Sequence, residues 1–160
     1  MTASLPRYGL RATTAVVVLL GISGCTDVTT NIEPAPNPFD VVFAPVLDID
    51  LTLMNQSITG LLWMDIEVGT GPVVDFGDRV SVGITGWLVD GTQFDSQTVE
   101  VLLFAGELIP GLLEGISDMR VGGVRKLVVP PQLAWGTRGN GPVPPNAFVV
   151  FEVELFTIIE

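Results

Sequence analysis

Histidine is absent from the 160-residue sequence, and cysteine occurs only once, as Cys25. The absence of histidine excludes Ser-His-Asp triads, histidine-ligated metals and an imidazole acting as general base. A single cysteine excludes an intramolecular disulfide and argues against a zinc site built on cysteines. We therefore expect no metal and no other cofactor, and a function that does not depend on conventional acid–base chemistry.

Basic residues are also scarce. Seven lysines and arginines stand against 18 aspartates and glutamates, for a formal net charge of -11. Nucleic-acid binding needs clustered basic side chains that neutralise phosphates, so no nucleic-acid partner is expected. Glycine (18) and proline (12) are frequent. Their abundance favours a loop-rich β domain over a helical bundle.

The first 24 residues have the parts of a secretory signal peptide. Arg7 and Arg11 form a basic start, and an apolar run from residue 15 is shorter than the ~20 residues that span a bilayer. The run leads to ISGC, which resembles a bacterial lipobox and implies cleavage before Cys25 and lipidation of its thiol. The protein would then be anchored in the bacterial cell envelope, facing the periplasm or the exterior. The alternatives are an ordinary secretory signal with an incidental cysteine, or an uncleaved anchor.

Two segments separate this signal from the domain. Residues 25–38 are polar, and their alternating Pro34, Pro36 and Pro38 favour an extended tether. Residues 39–57, FDVVFAPVLDIDLTLMNQS, are too apolar for a solvated linker. This apolar arm either packs on the domain that follows or contacts a partner.

Residues 58–160 have the pattern of one α+β domain. Apolar runs predict strands at residues 61–68, 79–89, 99–105, 124–130 and 147–159. The one predicted helix covers residues 110–119, where Pro110 suits the first turn and apolar residues recur at helical spacing. A long loop rich in glycine and proline, residues 131–146, connects the last two strands, and such loops often carry binding sites.

An unusual pair follows the turn signal Asp90-Gly91: a large apolar ring, Phe94, lies beside an acid, Asp95, where a strand restarts. A short helix across an antiparallel sheet leaves a cleft at one end. Apolar walls with a few polar groups describe a small-ligand or peptide pocket. The alternative is plain core. The residues that could converge at this cleft are Phe94, Asp95, Leu108, Ile109, Leu112, Trp135 and Val143.

Three stretches of the domain carry a family resemblance: GDRVSVGITGWLVDGTQFDS, ELIPGLLEGISDMRVGGVRKLVVPPQLAWG and VPPNAFVVFEVEL. They resemble the FKBP-type peptidyl-prolyl cis/trans isomerases over about residues 60–160, and GLLWMDIEVGTGP resembles the entry strand of bacterial lipoprotein members. The resemblance implies a twisted antiparallel β-sheet wrapped around one short helix. It also implies peptidyl-prolyl cis/trans isomerase activity on proline-containing polypeptides.

The resemblance implies roles for ten residues. Phe94 would line the proline pocket, Asp95 would be the carboxylate on its rim, and the Ile109 backbone N–H would reach a substrate carbonyl. The implied catalytic residues are Phe94, Asp95, Ile109, Trp135 and Phe151. The implied substrate-binding residues are Ile84, Val101, Leu108, Leu112 and Val143.

Four positions depart from the residues common in the family. Ile84 replaces a tyrosine that partners the rim acid, and Gly83 replaces the histidine before it. Leu112 replaces the tryptophan that floors the pocket. Trp135 replaces a tyrosine that hydrogen-bonds the substrate, and an indole donates but cannot accept. These departures leave an alternative open, namely a catalytically weak or inactive lipoprotein that binds a peptide or a partner.

The expected function is peptidyl-prolyl isomerisation that assists the folding of exported proteins. Rotation about an X-Pro bond crosses a barrier of about 18–20 kcal/mol without making or breaking a bond. An apolar pocket that strips water from the amide favours the twisted, less polar form over the planar one. The chain is expected to act as a monomer.

Overall fold

The structure, a computed structural model, describes residues 36–159. The predicted signal peptide, Cys25 and most of the predicted tether lie outside these residues. The described residues belong to one compact unit. Between residues 36 and 159, none of the helices combines the length and the apolar character needed to cross a bilayer.

Within the described part of the chain, six antiparallel strands form one sheet. The elements are β1 (Asn55–Gln56), β2 (Leu62–Glu67), β3 (Arg79–Leu88), β4 (Gln93–Leu102), α1 (Pro110–Ile116), β5 (Val124–Val129) and β6 (Val149–Ile159). The strand order across the sheet is β1-β2-β5-β6-β3-β4, so the β3–β4 hairpin forms one edge. The one α-helix of this part of the chain, α1, packs on one face, which we call the inner face. This arrangement confirms the predicted α+β class.

Two glycines allow α1 to lie close to the inner face. A side chain on Gly111 would collide with Val129 of β5, and one on Gly115 would collide with Leu127. Because neither glycine carries a Cβ, the helix approaches β5 closely and buries Leu112 and Ile116 in the core. Glycine lowers the helix propensity of this segment, but at these two positions it allows the helix to pack closely against the sheet.

The helix ends at Ile116, three residues before the predicted end. Ser117 already has an extended backbone with ψ of 141°, and Asp118 has a positive φ of 66°. Met119 is nevertheless buried, because the chain after the turn returns to the core. Its helical spacing from Ile116 is therefore coincidental.

Arg125 of β5 fastens the end of α1 to the sheet. Its Nε donates to Asp65 Oδ1 at 2.6 Å, and one of its terminal nitrogens donates to the Gly115 carbonyl at 3.0 Å. The guanidinium also lies 4.3 Å from the centre of the Trp63 ring. A cation beside the last carbonyls of a helix is favourable, because those carbonyls carry the negative end of the helix dipole. This buried charge is therefore paired and hydrogen-bonded.

The core lies between α1 and the inner face. Val80, Val82 and Ile84 alternate on β3 and are buried there, as the sequence pattern predicts. The same alternation holds on β6, whose inner residues are Val149, Phe151, Val153 and Leu155. Glu152 and Glu154 lie between these residues and point to the outer face.

The predicted strand at residues 99–105 differs most from the structure. Strand β4 begins six residues earlier, at Gln93, and ends at Leu102. Its first half pairs with β3 through Thr85↔Ser96 and Gly83↔Thr98. The run from Ser96 to Thr98 is polar because it forms an exposed sheet edge, so hydrophobic patterning did not reveal it.

The apolar arm packs on the outer face of the sheet, opposite α1. A short 3-10 helix, Pro38–Asp40, leads from the tether into the arm. A second, Pro45–Leu47, lies within the arm, which ends in β1, and β1 pairs with β2. Leu47 of the arm is buried among outer-face residues. Of the two alternatives for this segment, the structure shows packing on the domain. The outer cluster consists of Leu47, Leu62, Val128, Phe148 and Val150, flanked by Val41, Phe43, Ala44, Ile49, Leu51, Met54, Trp87 and Val89.

Besides the pairing of β1 with β2, two hydrogen bonds hold the arm to the sheet. The Ala44 N–H donates to the Val89 carbonyl at 2.7 Å, and Lys126 Nζ donates to the Leu47 carbonyl at 2.9 Å. The first of these bonds ends on the residue that leads from β3 into the β3–β4 turn. The arm is therefore attached both to the middle of the sheet and to its edge hairpin.

Candidate active site

The β3–β4 turn has the chemistry that its sequence predicts. Gly91 takes a positive φ of 88°, and the Thr92 carbonyl accepts a 2.8 Å bond from the Leu88 N–H. The Thr92 N–H donates to Asp90 Oδ1 at 2.8 Å, and this bond lowers the pKa of the Asp90 carboxyl. The turn thus fixes where β4 begins and which residue of β4 meets which residue of β3.

A β-bulge immediately after this turn explains the adjacent Phe94 and Asp95. Gly86 pairs with Asp95 and Trp87 pairs with Gln93, which leaves Phe94 as an extra residue on β4. In a regular strand, consecutive side chains point to opposite faces, but a bulge re-aims one of them. Phe94 packs against the inner core, and Asp95 lies half-buried beside it.

Phe94 is the centre of an aromatic cluster. Its ring centroid lies 5.8 Å from that of Trp135 and 5.7 Å from that of Phe151, and both contacts are edge-to-face. Trp135 and Phe151 lie 6.5 Å apart. Phe151 is buried, whereas Phe94 and Trp135 are partly exposed. The cluster therefore has a closed floor and two rings that face outward.

Gly86 makes this cluster possible, and the sequence analysis did not single it out. A Cβ at Gly86 would lie 2.7 Å from both the Phe94 and the Phe151 rings. Real Cβ atoms do not approach other atoms so closely, so only glycine fits here. The available signal was a glycine on the inner face of an alternating strand, which marks a close approach by another group.

The remaining predicted apolar residues divide into buried and half-buried ones. Ile84, Leu112 and Val143 are buried in the same core cluster as Phe151. Leu108 and Ile109 are half-buried where the chain enters α1. The plain-core alternative therefore describes the first group but not the second.

The structure does not bring Val101 to the aromatic cluster. Val101 pairs with Val80, whereas Asp95 pairs with Gly86. These positions lie six residues apart on β3, or about 20 Å at a strand rise of ~3.3 Å per residue. Val101 is a buried core residue at the other end of the hairpin. The assignment of Val101 to substrate binding is corrected on this geometry.

Ile109 presents an unused backbone donor at the start of α1. Its carbonyl accepts bonds from the Leu112 and Leu113 N–H groups, at 3.0 and 3.1 Å. Its own N–H donates to no acceptor within residues 36–159. The residue is half-buried and has extended angles, φ -61° and ψ 148°. A half-buried N–H beside apolar side chains is suited to binding a carbonyl oxygen.

The loop at residues 131–146 holds Trp135 in place. It begins with a 3-10 turn, Pro131–Leu133, and the Gly136 N–H donates back to the Pro131 carbonyl at 2.8 Å. The Asn146 backbone N–H donates to the Gly136 carbonyl at 2.8 Å and closes the base of the loop. The backbone of the loop is therefore hydrogen-bonded on both sides of Trp135.

Surface grooves lie outside the aromatic cluster as well. One, of about 360 Å³, crosses β3, β4 and β6 and is lined by Glu152, Glu154 and Phe156 among others. A second, of about 140 Å³, lies between the arm and Trp87, and a third, of about 80 Å³, lies near Asp65 and Arg125. Among residues 36–159 there is no group of three or more side chains suited to holding a metal ion.

The fold and the cluster define a domain that offers two half-buried aromatic rings and an apolar floor to an apolar group. The free backbone N–H of Ile109 is offered to a carbonyl oxygen. Comparison with known proteins agrees. The family described as FKBP-type peptidyl-prolyl cis-trans isomerase matches residues 71–156. A Neisseria meningitidis serogroup B protein named FK506-binding protein is 39% identical over an alignment of 107 residues that covers 63% of this chain and 98% of that protein.

Two further relatives support the same family. Escherichia coli K12 FkpA, an FKBP-type peptidyl-prolyl cis-trans isomerase, is 41% identical over an alignment of 108 residues that covers 66% of this chain but only 40% of FkpA. The crystal structure of AtFKBP13 superposes with a TM-score of 0.62 at 31% identity, covering 66% of this chain and 98% of that one. The chain belongs to the FKBP-type peptidyl-prolyl cis-trans isomerases, enzymes that act on proline-containing peptides.

Proposed function

We propose that this protein isomerises X-Pro bonds in exported polypeptides at the site around Phe94, and so assists their folding. The observation that supports this proposal is the combination of partly exposed Phe94 and Trp135 with the free Ile109 N–H. An apolar proline ring would pack against the two aromatic rings. The carbonyl of a neighbouring substrate residue would accept the Ile109 hydrogen bond and fix the peptide's register.

The isomerisation requires a pocket of the right shape from which water is excluded. The planar amide is held by resonance, and twisting it by about 90° removes that resonance against a barrier of about 18–20 kcal/mol. The twisted carbonyl is less polar, so it loses less than the planar form when water is excluded. Groups that bind the twisted form better than the planar one lower the barrier, by tenfold for each 1.36 kcal/mol.

The groups of the site then have three roles. Phe94, Trp135 and Phe151 exclude water and hold the ring. The Ile109 N–H fixes one substrate carbonyl, which leaves rotation about the X-Pro bond as the remaining freedom. The half-buried carboxylate of Asp95 accepts a hydrogen bond from the peptide or from a water and orients it. No proton is transferred, which agrees with a sequence that has no histidine.

The test is an isomerase assay on the full chain, since the arm belongs to the fold, with an Ile109→Pro variant. We expect a proline-containing peptide to isomerise well above its spontaneous rate. Ile109→Pro should lower kcat/KM about tenfold, because it removes one hydrogen bond to the substrate. Proline suits this position, since its ring imposes a φ near the observed -61°. Ile109→Val keeps the N–H and most of the side chain, so it isolates the effect of the donor.

Two results would reject parts of this proposal. A folded wild-type chain that only matches the spontaneous rate would reject the enzyme and favour a peptide-binding module. Ile84 favours that second candidate, because its buried aliphatic side chain offers no polar group to the site. An Ile109→Pro variant with wild-type kcat/KM would remove the backbone donor from the mechanism.

We also propose that lipidated Cys25 anchors the protein to a membrane of the cell envelope and that the protein acts as a monomer. The ISGC sequence supports the anchor, and the arm supports the monomer because it already covers the apolar outer face. The wild-type chain should incorporate labelled fatty acid in bacteria, and Cys25→Ser should lose the label. A wild-type chain that stays at the membrane without the label would indicate an uncleaved anchor instead. The detergent-solubilised wild type should sediment as one chain, and a dimer would contradict the monomer.

A further inference from the structure

Asp95 lies on the inner face of the hairpin next to two side chains of different character. It pairs with Gly86, and two residues further along the hairpin Ile84 pairs with Gln97. Residues two apart on a strand share a face, so Asp95, Gln97 and Ile84 are neighbours on the inner face. Ile84 is buried and has no polar atom to offer a carboxylate. Any side-chain support for Asp95 from this part of the hairpin must come from Gln97.

Gln97 does provide that support. Its Nε2 donates to Asp95 Oδ2 at 3.1 Å. A carboxylate has only acceptor atoms, so the amide of Gln97 must turn its nitrogen toward Asp95. No other side chain within residues 36–159 donates a hydrogen bond to this carboxylate. Gln97 itself is exposed on the edge strand β4, so it has no part in the packed core.

We infer that Gln97 is a positioning residue that holds the Asp95 carboxylate on the rim of the site. This inference rests on the proposed function, in which Asp95 orients the bound peptide. A carboxylate on a partly exposed aspartate otherwise rotates among several rotamers, and only some of them face the Phe94 ring. A donor two residues away on the same strand restricts that rotation without occupying the site.

If Gln97 positions Asp95, kcat/KM should depend on whether the side chain at position 97 has an N–H donor and not on its size. Gln97→Met keeps a long unbranched side chain but has no N–H, and we expect it to lower kcat/KM about fivefold, the effect of one partly exposed hydrogen bond to a charged group. Gln97→Arg restores N–H donors and should stay within about twofold of the wild type. Both residues tolerate an exposed strand position, so neither change should alter the melting temperature.

Two further variants make the test specific. Ser96→Ala alters the adjacent residue, which points to the outer face, and should leave kcat/KM unchanged. In an Asp95→Ala background, Gln97→Met should have no further effect, because the carboxylate through which it acts is gone. Equal activity of wild type and Gln97→Met, or a full fivefold loss on top of Asp95→Ala, would overturn the inference. An inactive wild type would instead reject the proposed function, so the two failures are distinguishable.

Discussion

Replacing Phe94 with alanine is expected to lower kcat/KM about thirtyfold in a chain that still folds. The ring contacts Trp135 and Phe151 edge-to-face and is partly exposed, so it offers one side to the core and one to a ligand. Removing it admits water to the place where the amide must be dry. A loss of about 2 kcal/mol in transition-state binding, the cost of part of one aromatic contact surface, corresponds to this factor. The measurement is kcat/KM for a proline-containing peptide in the full chain.

Phe156→Ala is the matched control for this experiment. Phe156 lies over Gly83 on the outer face, where its ring comes within 3.2 Å of the Cβ position, and it is 42% exposed. The same chemical change on the opposite face should leave kcat/KM within about twofold of the wild type. Phe94→Leu keeps much of the apolar volume and serves as the second variant if alanine unfolds the chain. Equal kcat/KM for Phe94→Leu, Phe94→Ala and the wild type would move the site elsewhere.

The sequence predicted which residues matter at the hairpin but not how they meet. A turn signal followed by Phe94 and Asp95 indicated a functional pair. The bulge that turns both toward the site depends on the register between β3 and β4, which is a relation between two strands. Gly86, the residue that makes room for the rings, carries no chemistry of its own. Its role appears only when the rings that approach it are in place.

Other differences have equally local causes. The polar run from Ser96 to Thr98 forms an edge strand, and patterning cannot distinguish such a strand from a loop. Val101 was placed in the site through the family resemblance, whereas its pairing with Val80 places it in the core. The helix end was predicted three residues late. The backbone of Asp118 takes a left-handed conformation, which returns the chain to the core and buries Met119 at an apparently helical spacing.

The composition of the arm predicted that it is buried but not which surface buries it. Its apolar content predicted burial on something, and the structure shows that this is the outer face of the sheet. A signal for the location was present in β6, where outward-facing Val150 is apolar while Glu152 and Glu154, further along the same face, are acidic. The change in polarity marks the limit of the surface that the arm covers.

The arm is expected to contribute directly to global stability, and Leu47→Asp tests this. Leu47 is 5% exposed and packs with Leu62, Val128 and Val150 on the outer face. Replacing it removes a buried aliphatic side chain and puts a carboxylate into an apolar cluster. We expect the free energy of unfolding of the full chain to fall by about 4 kcal/mol, measured by urea denaturation.

Val42→Asp provides the comparison within the same arm. Val42 is 88% exposed, so the same kind of substitution there should change the free energy of unfolding by no more than about 0.5 kcal/mol. If the arm were a separate appendage, Leu47→Asp would release it and leave the unfolding of the sheet unchanged, contrary to our expectation. The hydrogen bond from Ala44 to Val89 links the arm to the active site, since it attaches the arm beside the turn that positions Phe94 and Asp95. Destabilising the arm therefore removes a support of the hairpin on which the proposed chemistry depends.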